Sequence, residues 1–475
     1  MAAKTTLNAK NLEALGAERL AALLIEISTG NAASKRRLRL ELAGAQGTGE
    51  AAREVRKRLS SIDRARTFID WRKIKALKAD LETQRRVITG TIAPSDADEA
   101  MELLWRYLEL AGSIFARCDD SNGLVIGSFH EACLDLGAIA PKASSAKRLP
   151  EQVFAAIQRN DYGEYDPLIP AMAPALGKDG LARLKRLLAD WANEPLEQPA
   201  ERVVMGWGMS GPVYEDEIHR RHRDTSVSVA LKQIADAEGD VDAYIRQQSK
   251  AAQTMTTVAA EIAQRLLAAG RAEEALAALD KAQATERPAL DFPWQQARVE
   301  ALETLGRHEE AQAYRWQCFE RDLSAEHLKA YIKRLPDFDD IEAEEKAFAH
   351  AHGFPDVHLA LIFMAQWPAP AEAAKLVLAR ADEIDGDLYE ILTGAADWLS
   401  EKHPLAATLL LREMIDFALE TGRSSRYKHV GRHLATCAAL AAHIADFGAF
   451  ADHVTYAEGL KRNHGKKHSF WSAVL

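Results

Sequence analysis

The sequence has 475 residues, of which 47% are hydrophobic and 27% are charged, and its formal net charge is −10. These proportions are those of a folded protein and exclude global disorder. No run of residues approaches the roughly 18 consecutive apolar side chains of a membrane-spanning helix. Alanine and leucine dominate and 16 prolines occur, so the composition favours helix over strand.

The N-terminal region is predicted to be helical. Leucine and isoleucine recur at three- and four-residue spacing over residues 11–28, which indicates an amphipathic helix. Its apolar run is interrupted by Glu26, which argues against a signal peptide. A short basic helix over 35–40 and a glycine-rich loop over 43–49 follow. The helical pattern then continues without a breaker, so one long helix is predicted over 50–87.

Positive charge is concentrated in these basic helices. Between residues 31 and 90 there are 16 Lys and Arg against 7 Asp and Glu, a local balance of +9 that leaves −19 for the rest of the chain. Such density is typical of proteins that bind the phosphate backbone of nucleic acids, and it also suits an acidic protein partner. The interpretation we favour is that these side chains form ion pairs within the molecule or with a second copy. The candidate binding residues are Arg36, Arg37, Arg39, Arg56, Lys57, Arg58, Arg72 and Lys73.

The middle of the chain carries signals for a domain boundary. A helix beginning near Ser95 and a turn over 119–123 belong to a predicted N-terminal helical domain over 1–195. Proline and glycine concentrate in 196–224, which we interpret as a joint. A short strand is allowed at 203–205 within it.

The second half contains an internal repeat. Segments 266–276 and 302–312 lie 36 residues apart, and each has an apolar helix, a glycine and a second helix that begins with glutamates. The pattern resembles the tetratricopeptide repeat, whose period is about 34, and it places Ala275 and Ala311 where two helices touch. We therefore predict an all-α protein in which residues 225–475 form a degenerate tetratricopeptide-like α-solenoid. Further amphipathic helices are predicted over 324–334, 338–352, 355–366, 370–384, 387–400, 403–421, 424–444 and 448–462.

Several short motifs occur in a fixed order along the second half. They are Arg-Leu-Pro-Asp-Phe-Asp-Asp at 334–340, Gln-Trp-Pro at 366–368, His-Pro-Leu-Ala-Ala-Thr at 403–408, Arg-Tyr-Lys-His at 426–429 and His-Gly-Lys-Lys at 464–467. Together with the turn over 119–123, this series resembles an uncharacterised bacterial family of all-helical domains of unknown function that spans most of the chain. The C-terminal half is also similar to helical regions of SWIM-type zinc-finger proteins, although the Cys-x-Cys and Cys-x-His pairs of the finger are absent. The resemblance implies an all-helical fold and supplies no catalytic residues.

The cysteines indicate a reducing compartment. They are scattered and form no Cys-x-x-Cys pair, which argues against both a disulfide framework and a thiolate zinc site. We therefore expect a cytoplasmic protein. The four residues are Cys118, Cys133, Cys318 and Cys437.

Three clusters invite a metal or catalytic interpretation, and each lacks a required group. A calcium loop in the turn described above would place Cys118 and Phe129 where carboxylates are needed. His219 and His222 have a spacing that suits a metal, but arginines surround them. Ser210 lies among glycines, yet a proline stands where a nucleophile elbow requires glycine. We predict no metal, no cofactor and no catalytic residue.

Two histidines lie four residues apart in the predicted helix over 424–444. His429 and His433 are followed by Cys437 and a run of alanines. This context favours packing within the core or an interface over ligand binding.

The sequence thus favours a non-enzymatic scaffold that binds a protein or peptide in a helical-repeat groove. The first alternative is a nucleic-acid-associated accessory protein that uses the basic helices over 35–86. A remote alternative is a metal-dependent enzyme centred on 206–222. No membrane partner is expected, and a homo-oligomer remains open.

Overall fold

The computed structural model describes residues 6–144, 148–195, 203–208, 211–283 and 288–474. Helices account for 74% of the described residues, and the strands among them form one two-stranded sheet. None of the described helices is both long and apolar enough to cross a membrane. The prediction of an all-α fold is therefore confirmed. The chain divides into two compact units, Met1–Lys250 and Ala251–Leu475.

The first unit consists of helices around one hydrophobic core. A two-stranded sheet lies in the chain between its two longest helices. The core contains large, fully buried side chains such as Tyr107 and Phe129, whose ring centroids lie 5.6 Å apart. Its helices and strands are α1 (Ala9–Glu13), α2 (Ala17–Ser28), α3 (Ala32–Gln46), α4 (Thr48–Asp63), α5 (Ile74–Val87), α6 (Ala97–Leu108), α7 (Leu110–Phe115), α8 (Ile126–Ile139), α9 (Leu149–Ile157), α10 (Leu168–Asn193), β1 (Val204–Gly208), β2 (Gly211–Tyr214), α11 (Glu215–Glu238) and α12 (Val241–Arg246).

The second unit is a succession of helix pairs. Neighbouring helices pack on each other in chain order, and a helix is present at each of the segments predicted between 324 and 462. The helices are α13 (Thr256–Ala268), α14 (Ala272–Leu279), α15 (Pro288–Thr304), α16 (His308–Asp322), α17 (Ala325–Ile332), α18 (Asp339–His352), α19 (Val357–Gln366), α20 (Pro370–Ala379), α21 (Tyr389–Leu399), α22 (Pro404–Glu420), α23 (Tyr427–Ala441), α24 (His453–His464) and α25 (His468–Val474).

The two predicted repeats have the same local geometry. Gly270 and Gly306 adopt left-handed φ angles of 73° and 74°, a conformation that glycine accepts without the penalty of a Cβ. Each glycine lies between the two helices of a pair, α13–α14 and α15–α16. The residue after each glycine repeats too, because Arg271 and Arg307 both donate side-chain hydrogen bonds to the glutamate three residues later. The repeat of 36 residues is therefore present in hydrogen bonding as well as in sequence.

Ala275 and Ala311 are completely buried, as their matched positions in the repeat require. Replacing either with leucine inserts a larger side chain into a packed helix contact, and we expect a loss of roughly 1–3 kcal/mol in the free energy of unfolding. Urea denaturation of Ala275→Leu and Ala311→Leu measures it. Midpoints equal to that of the wild type would show that these alanines do not pack as described.

The predicted helix over 11–28 is interrupted in the structure. It consists of α1 and α2, and Gly16 separates them with a φ of 80°. The predicted loop over 43–49 is wrong for its first residues, because α3 continues to Gln46 and the chain turns at Gly47. The glycine content therefore predicted a longer loop than the structure has.

The predicted long helix over 50–87 is wrong, because it is two helices, α4 and α5. The backbone of Ile69, between them, donates a 2.8 Å hydrogen bond to the carbonyl of Arg117. The buried guanidinium of Arg117 in turn donates to the carbonyls of Ile62 and Thr67 at 3.1 and 3.3 Å. The bond to Ile62 caps a carbonyl at the end of α4, and the other two hold the segment that follows it.

The boundary between the units lies after the predicted joint over 196–224. The strands β1 and β2 pair there, and α11 begins at Glu215, within the predicted joint. Helix α11 packs along α10, so it belongs to the first unit. Ion pairing of Lys185 with Glu238 and a 2.7 Å hydrogen bond from Arg223 to the carbonyl of Glu194 fasten the two helices. The segment from 225 to Lys250, assigned from sequence to the repeat domain, therefore packs with the N-terminal helices.

Candidate functional site

A cleft of the second unit lies between α21 and α23. It has a volume of about 680 Å³, and Met414 of α22 lies among the residues that line it. Its remaining lining residues come from α21, from α23 and from the residues just before each helix. They are Gly386, Tyr389, Glu390, Thr393, Gly394, Asp397, Ser425, Arg426, His429, Val430 and His433.

Helical periodicity brings these residues together. Glu390, Thr393 and Asp397 are spaced by three and four residues, so they share one face of α21. Arg426, His429 and His433 have the same spacing at the start and along α23. Between these two faces, a Cβ added to Gly394 would meet no atom within 4 Å. The cleft is therefore open beside Gly394, and in the sequence its two walls are visible as two sets of residues at helical spacing.

The arginine that lines the cleft, Arg426, is paired with a carboxylate of the same chain. Arg426 forms a 2.7 Å ion pair with Asp387 and stacks over the ring of Tyr389 at 4.7 Å. Glu390 accepts a 3.3 Å hydrogen bond from Tyr389 and forms no ion pair among the described residues. The carboxylate of Asp397 likewise has no cationic partner in the described part of the chain. The α21 wall therefore presents uncompensated negative charge.

The two histidines predicted to pack in the core or an interface instead line this cleft. His429 is exposed and His433 is half-buried. Burial lowers the pKa of His433, His429 lowers it further, and Asp397 opposes both effects. His433 is consequently a neutral donor or acceptor near pH 7. The exposure of His429 contradicts packing in the core, whereas packing in an interface with a partner stays a prediction.

The chemistry of the cleft suits binding. Thr393 directs its hydroxyl to the sulfur of Met414 at 3.5 Å, and among the described residues no hydrogen bond joins Ser425 to a histidine. An activated nucleophile requires such a bond to a base. An apolar base with a few polar groups on the walls is the usual composition of a ligand-binding cleft.

A second cleft of about 400 Å³ lies between α15, α17 and α19. Phe292, Leu359 and other apolar side chains line it, and a buried polar network underlies it. The amide of Gln295 donates to Asp322 at 2.9 Å and its oxygen lies 2.8 Å from the imidazole of His327. Burial lowers the pKa of His327 to about 4, so the ring is neutral near pH 7. Both clefts thus lie along the first helices of successive pairs.

The basic helices α3, α4 and α5 carry cations that are already paired. Arg58 donates to Asp80 through Nε at 2.9 Å, and Arg36 lies 3.7 Å from the same carboxylate. Arg56 donates to Glu99 at 2.6 Å. These three candidate side chains therefore hold helices together across the fold.

The other candidate basic residues point outward. Arg37, Arg39 and Lys73 are exposed and their side chains form no ion pair among the described residues. Lys57 is exposed too and lies 3.7 Å from Glu54. Arg72 lies over the neighbouring ring of Trp71 at 5.2 Å. The predicted basic site is thus split between structural and solvent-facing charges.

The clusters considered for metal chemistry are placed as follows. His219 and His222 lie in α11, and His222 lies 3.6 Å from Asp161. Among the described residues no group of three His, Cys, Asp or Glu side chains is arranged to hold a metal ion. The turn over 119–123 joins two helices, and the carboxylate of Asp120 accepts hydrogen bonds from the backbone of Val125 and Ile126. Ser210 lies outside the described residues.

Two half-buried carboxyl groups of α22 make the second unit sensitive to pH. Burial raises the pKa of Glu413 from 4.5 to about 7, and burial raises the pKa of Asp416 from 3.8 to about 6. Both groups bind protons more tightly in the folded chain than in the unfolded chain. The free energy of unfolding that they contribute is therefore fully present below about pH 4 and is lost as the pH rises towards 7.

Glu413→Gln removes one of these protonation sites. We expect the variant to gain stability relative to the wild type between about pH 5 and about pH 8, because the buried charge no longer forms. Denaturant unfolding at both pH values measures the difference, with Glu401→Gln, an exposed position just before the same helix, as control. A stability difference that is equal at both pH values would contradict the assignment.

The helix pairs and the clefts along them define an α-helical repeat protein. The chain belongs to DUF6880, a family of unknown function whose model matches residues 2–473. The family membership predicted from the motifs is confirmed at this level, whereas similarity to SWIM-type zinc-finger proteins is not found. No curated protein matches the chain significantly. Among solved structures, the chain is similar to a circular tandem repeat protein with novel repeat topology and enhanced subunit contact surfaces, at 13% identity and a TM-score of 0.12, over 96% of this chain and 95% of that chain.

Proposed function

We propose that this protein is a non-enzymatic scaffold that binds a segment of a partner protein in the cleft between α21 and α23. The observation that carries the proposal is the facing of two helical stripes across an open space of about 680 Å³. Stacked helical pairs commonly present such grooves to peptides. Four free cysteines fit a reducing compartment, so we place the protein in the cytoplasm.

The charges of the cleft indicate the chemistry of the bound segment. Asp397 and Glu390 make the α21 wall acidic. Arg426 is paired with Asp387 at 2.7 Å, and Arg423 lies 3.6 Å from the same carboxylate. Met414 and Val430 supply apolar surface. A segment with an apolar anchor flanked by Lys or Arg therefore complements the cleft, through burial of the anchor and charge-assisted hydrogen bonds.

Gly394→Leu provides a direct test, because Gly394 lines the cleft and a leucine there occupies part of its volume. A Cβ at this helical position would meet no atom within 4 Å, so the fold is expected to persist while the partner is excluded. Gly459→Leu is the matched control, since Gly459 lies in α24 and its Cβ position is equally open. Neither variant should lower the thermal midpoint appreciably.

Affinity purification from native cells, with and without nuclease, compares the three proteins. We expect a protein partner that survives nuclease, is retained by Gly459→Leu and is reduced at least about tenfold by Gly394→Leu, since loss of one buried anchor is worth about 2 kcal/mol or more. Equal recovery by both variants would contradict binding in this cleft.

The second candidate is a nucleic-acid-associated protein that uses the basic helices. Exposure of Arg37, Arg39 and Lys73 favours it, because phosphate contacts need cations that face solvent. The pairing of Arg36, Arg56 and Arg58 with carboxylates weighs against it. We rank this function second for that reason.

A further inference from the structure

A small pocket lies within the first unit, between α3, α4 and α5. Its volume is about 170 Å³, and four of its lining side chains are cations. It is much smaller than the clefts of the second unit, so a polymer cannot enter it, whereas one tetrahedral oxyanion can. The lining residues that matter here are Arg36, Arg39, Lys57, Arg58 and Gln84.

Two of the guanidinium groups are fixed by one carboxylate. Asp80 accepts a 2.9 Å hydrogen bond from Nε of Arg58 and lies 3.7 Å from Arg36. The Nη1 atom of Arg58 also donates to Ser61 at 3.2 Å. The side chains of Arg39 and Lys57 add further charge at the pocket. With Glu54 and Asp80 counted, the pocket keeps a net charge of +2, and its guanidinium groups are held in place before any ligand binds.

Two side chains that line the pocket each carry a buried polar atom without a partner. Nε of Arg36 and Oε1 of Gln84 form no hydrogen bond among the described residues. Gln84 is only 3% exposed, and its amide nitrogen is engaged by Asp80 at 3.4 Å, which fixes the orientation of its oxygen. Leaving a buried donor and a buried acceptor unpaired is costly. A ligand that both accepts from Arg36 and donates to Gln84 would satisfy the two together.

We propose that this pocket is a binding site for inorganic hydrogenphosphate. Arginine recognises phosphate oxygens through its fixed N–H donors, and Arg36 supplies the unfilled one. Inorganic phosphate keeps a P–O–H group near neutral pH, which donates to Oε1 of Gln84. Sulfate has no such hydrogen and would direct a lone pair at that oxygen. The pocket therefore discriminates between two anions of the same shape.

A phosphomonoester is excluded by the same argument at alkaline pH. Its second pKa is roughly 6, so at about pH 8 it carries no hydroxyl and has only acceptor oxygens. Calorimetric titration of the full chain with inorganic phosphate, methyl phosphate and sulfate, at about pH 8 and matched ionic strength, separates the three. We expect measurable binding of inorganic phosphate. The other two anions should bind at least about tenfold more weakly, because they lose the hydrogen bond to Oε1 of Gln84.

Two substitutions locate the site. Arg39→Gln removes an exposed cation that lines the pocket, and we expect it to weaken phosphate binding about tenfold. Arg53→Gln removes an equal charge from the exposed surface of α4, outside the pocket, and should leave the affinity within about twofold. Gln84→Met keeps the side-chain volume and should abolish the preference of phosphate over sulfate.

Three results would overturn the proposal. They are the absence of phosphate binding at millimolar concentration, equal binding of phosphate and sulfate by the wild type, and equal effects of Arg39→Gln and Arg53→Gln. Circular dichroism confirms that each variant is folded before titration. If Gln84→Met fails this check, the wild-type comparison of anions and the two arginine variants still decide the outcome.

Discussion

Gly137→Ala is expected to destabilise the first unit by about 3 kcal/mol or more. Gly137 lies in α8 at its contact with α10, where a Cβ would overlap the carbonyl oxygen of Ala171 and lie 2.9 Å from its Cβ. Backbone atoms of a packed helix cannot move aside as a flexible side chain can. The helices must separate, and the core around Phe129 and Leu136 loosens with them.

Gly127 provides the control within the same helix. A Cβ at Gly127 would meet no atom within 4 Å, so Gly127→Ala should stabilise the protein by about 0.5–1 kcal/mol through helix propensity alone. Urea denaturation followed by far-ultraviolet circular dichroism measures both variants. Similar midpoints for the two alanine variants would show that α8 and α10 are not packed as closely as the structure has them.

The second large effect is expected from reversing five basic side chains to glutamate. Arg36, Arg56 and Arg58 pair with carboxylates, so reversal replaces attraction by repulsion at half-buried sites. Arg37 and Lys57 are exposed, and their reversal contributes little. We expect the five-fold variant to lose about 2–4 kcal/mol in the free energy of unfolding. Thermal unfolding at two salt concentrations measures it.

A triple variant separates stability from nucleic-acid binding. Arg37, Arg39 and Lys73 form no ion pair among the described residues, so reversing all three should leave the thermal midpoint nearly unchanged. In a gel-shift titration at about 150 mM salt, we expect no duplex or RNA binding by the wild type. Binding that weakens steeply with salt and disappears in this triple variant would instead favour the nucleic-acid function.

Local sequence signals were sufficient for much of the second unit. Two kinds of position define the repeat. The glycines at 270 and 306 adopt a left-handed φ, and the alanines at 275 and 311 supply a small buried side chain. Helix positions from 324 to 462 followed from periodicity, since their apolar faces are what the neighbouring helices bury. Sequence therefore predicts elements wherever the cause lies within a few residues.

The elements that sequence missed depend on distant contacts. Helix α4 ends where Arg117, more than fifty residues later, caps its carbonyls. The cleft between α21 and α23 was missed for a related reason. The spacing of His429 and His433 predicts a helical face, but whether that face meets a core or an open space depends on where α21 lies. The same holds for Arg36 and Arg58, whose common partner Asp80 lies on another helix.

The central claim is that a partner protein occupies the cleft between α21 and α23. Hydrogen–deuterium exchange of the full chain, with and without the partner that survives nuclease, tests it most directly. The account predicts slower exchange of amides in 389–399 and 427–441, with the same change in Gly459→Leu and no change in Gly394→Leu. Protection confined to 32–63, with the cleft helices exchanging as in the free protein, would contradict it.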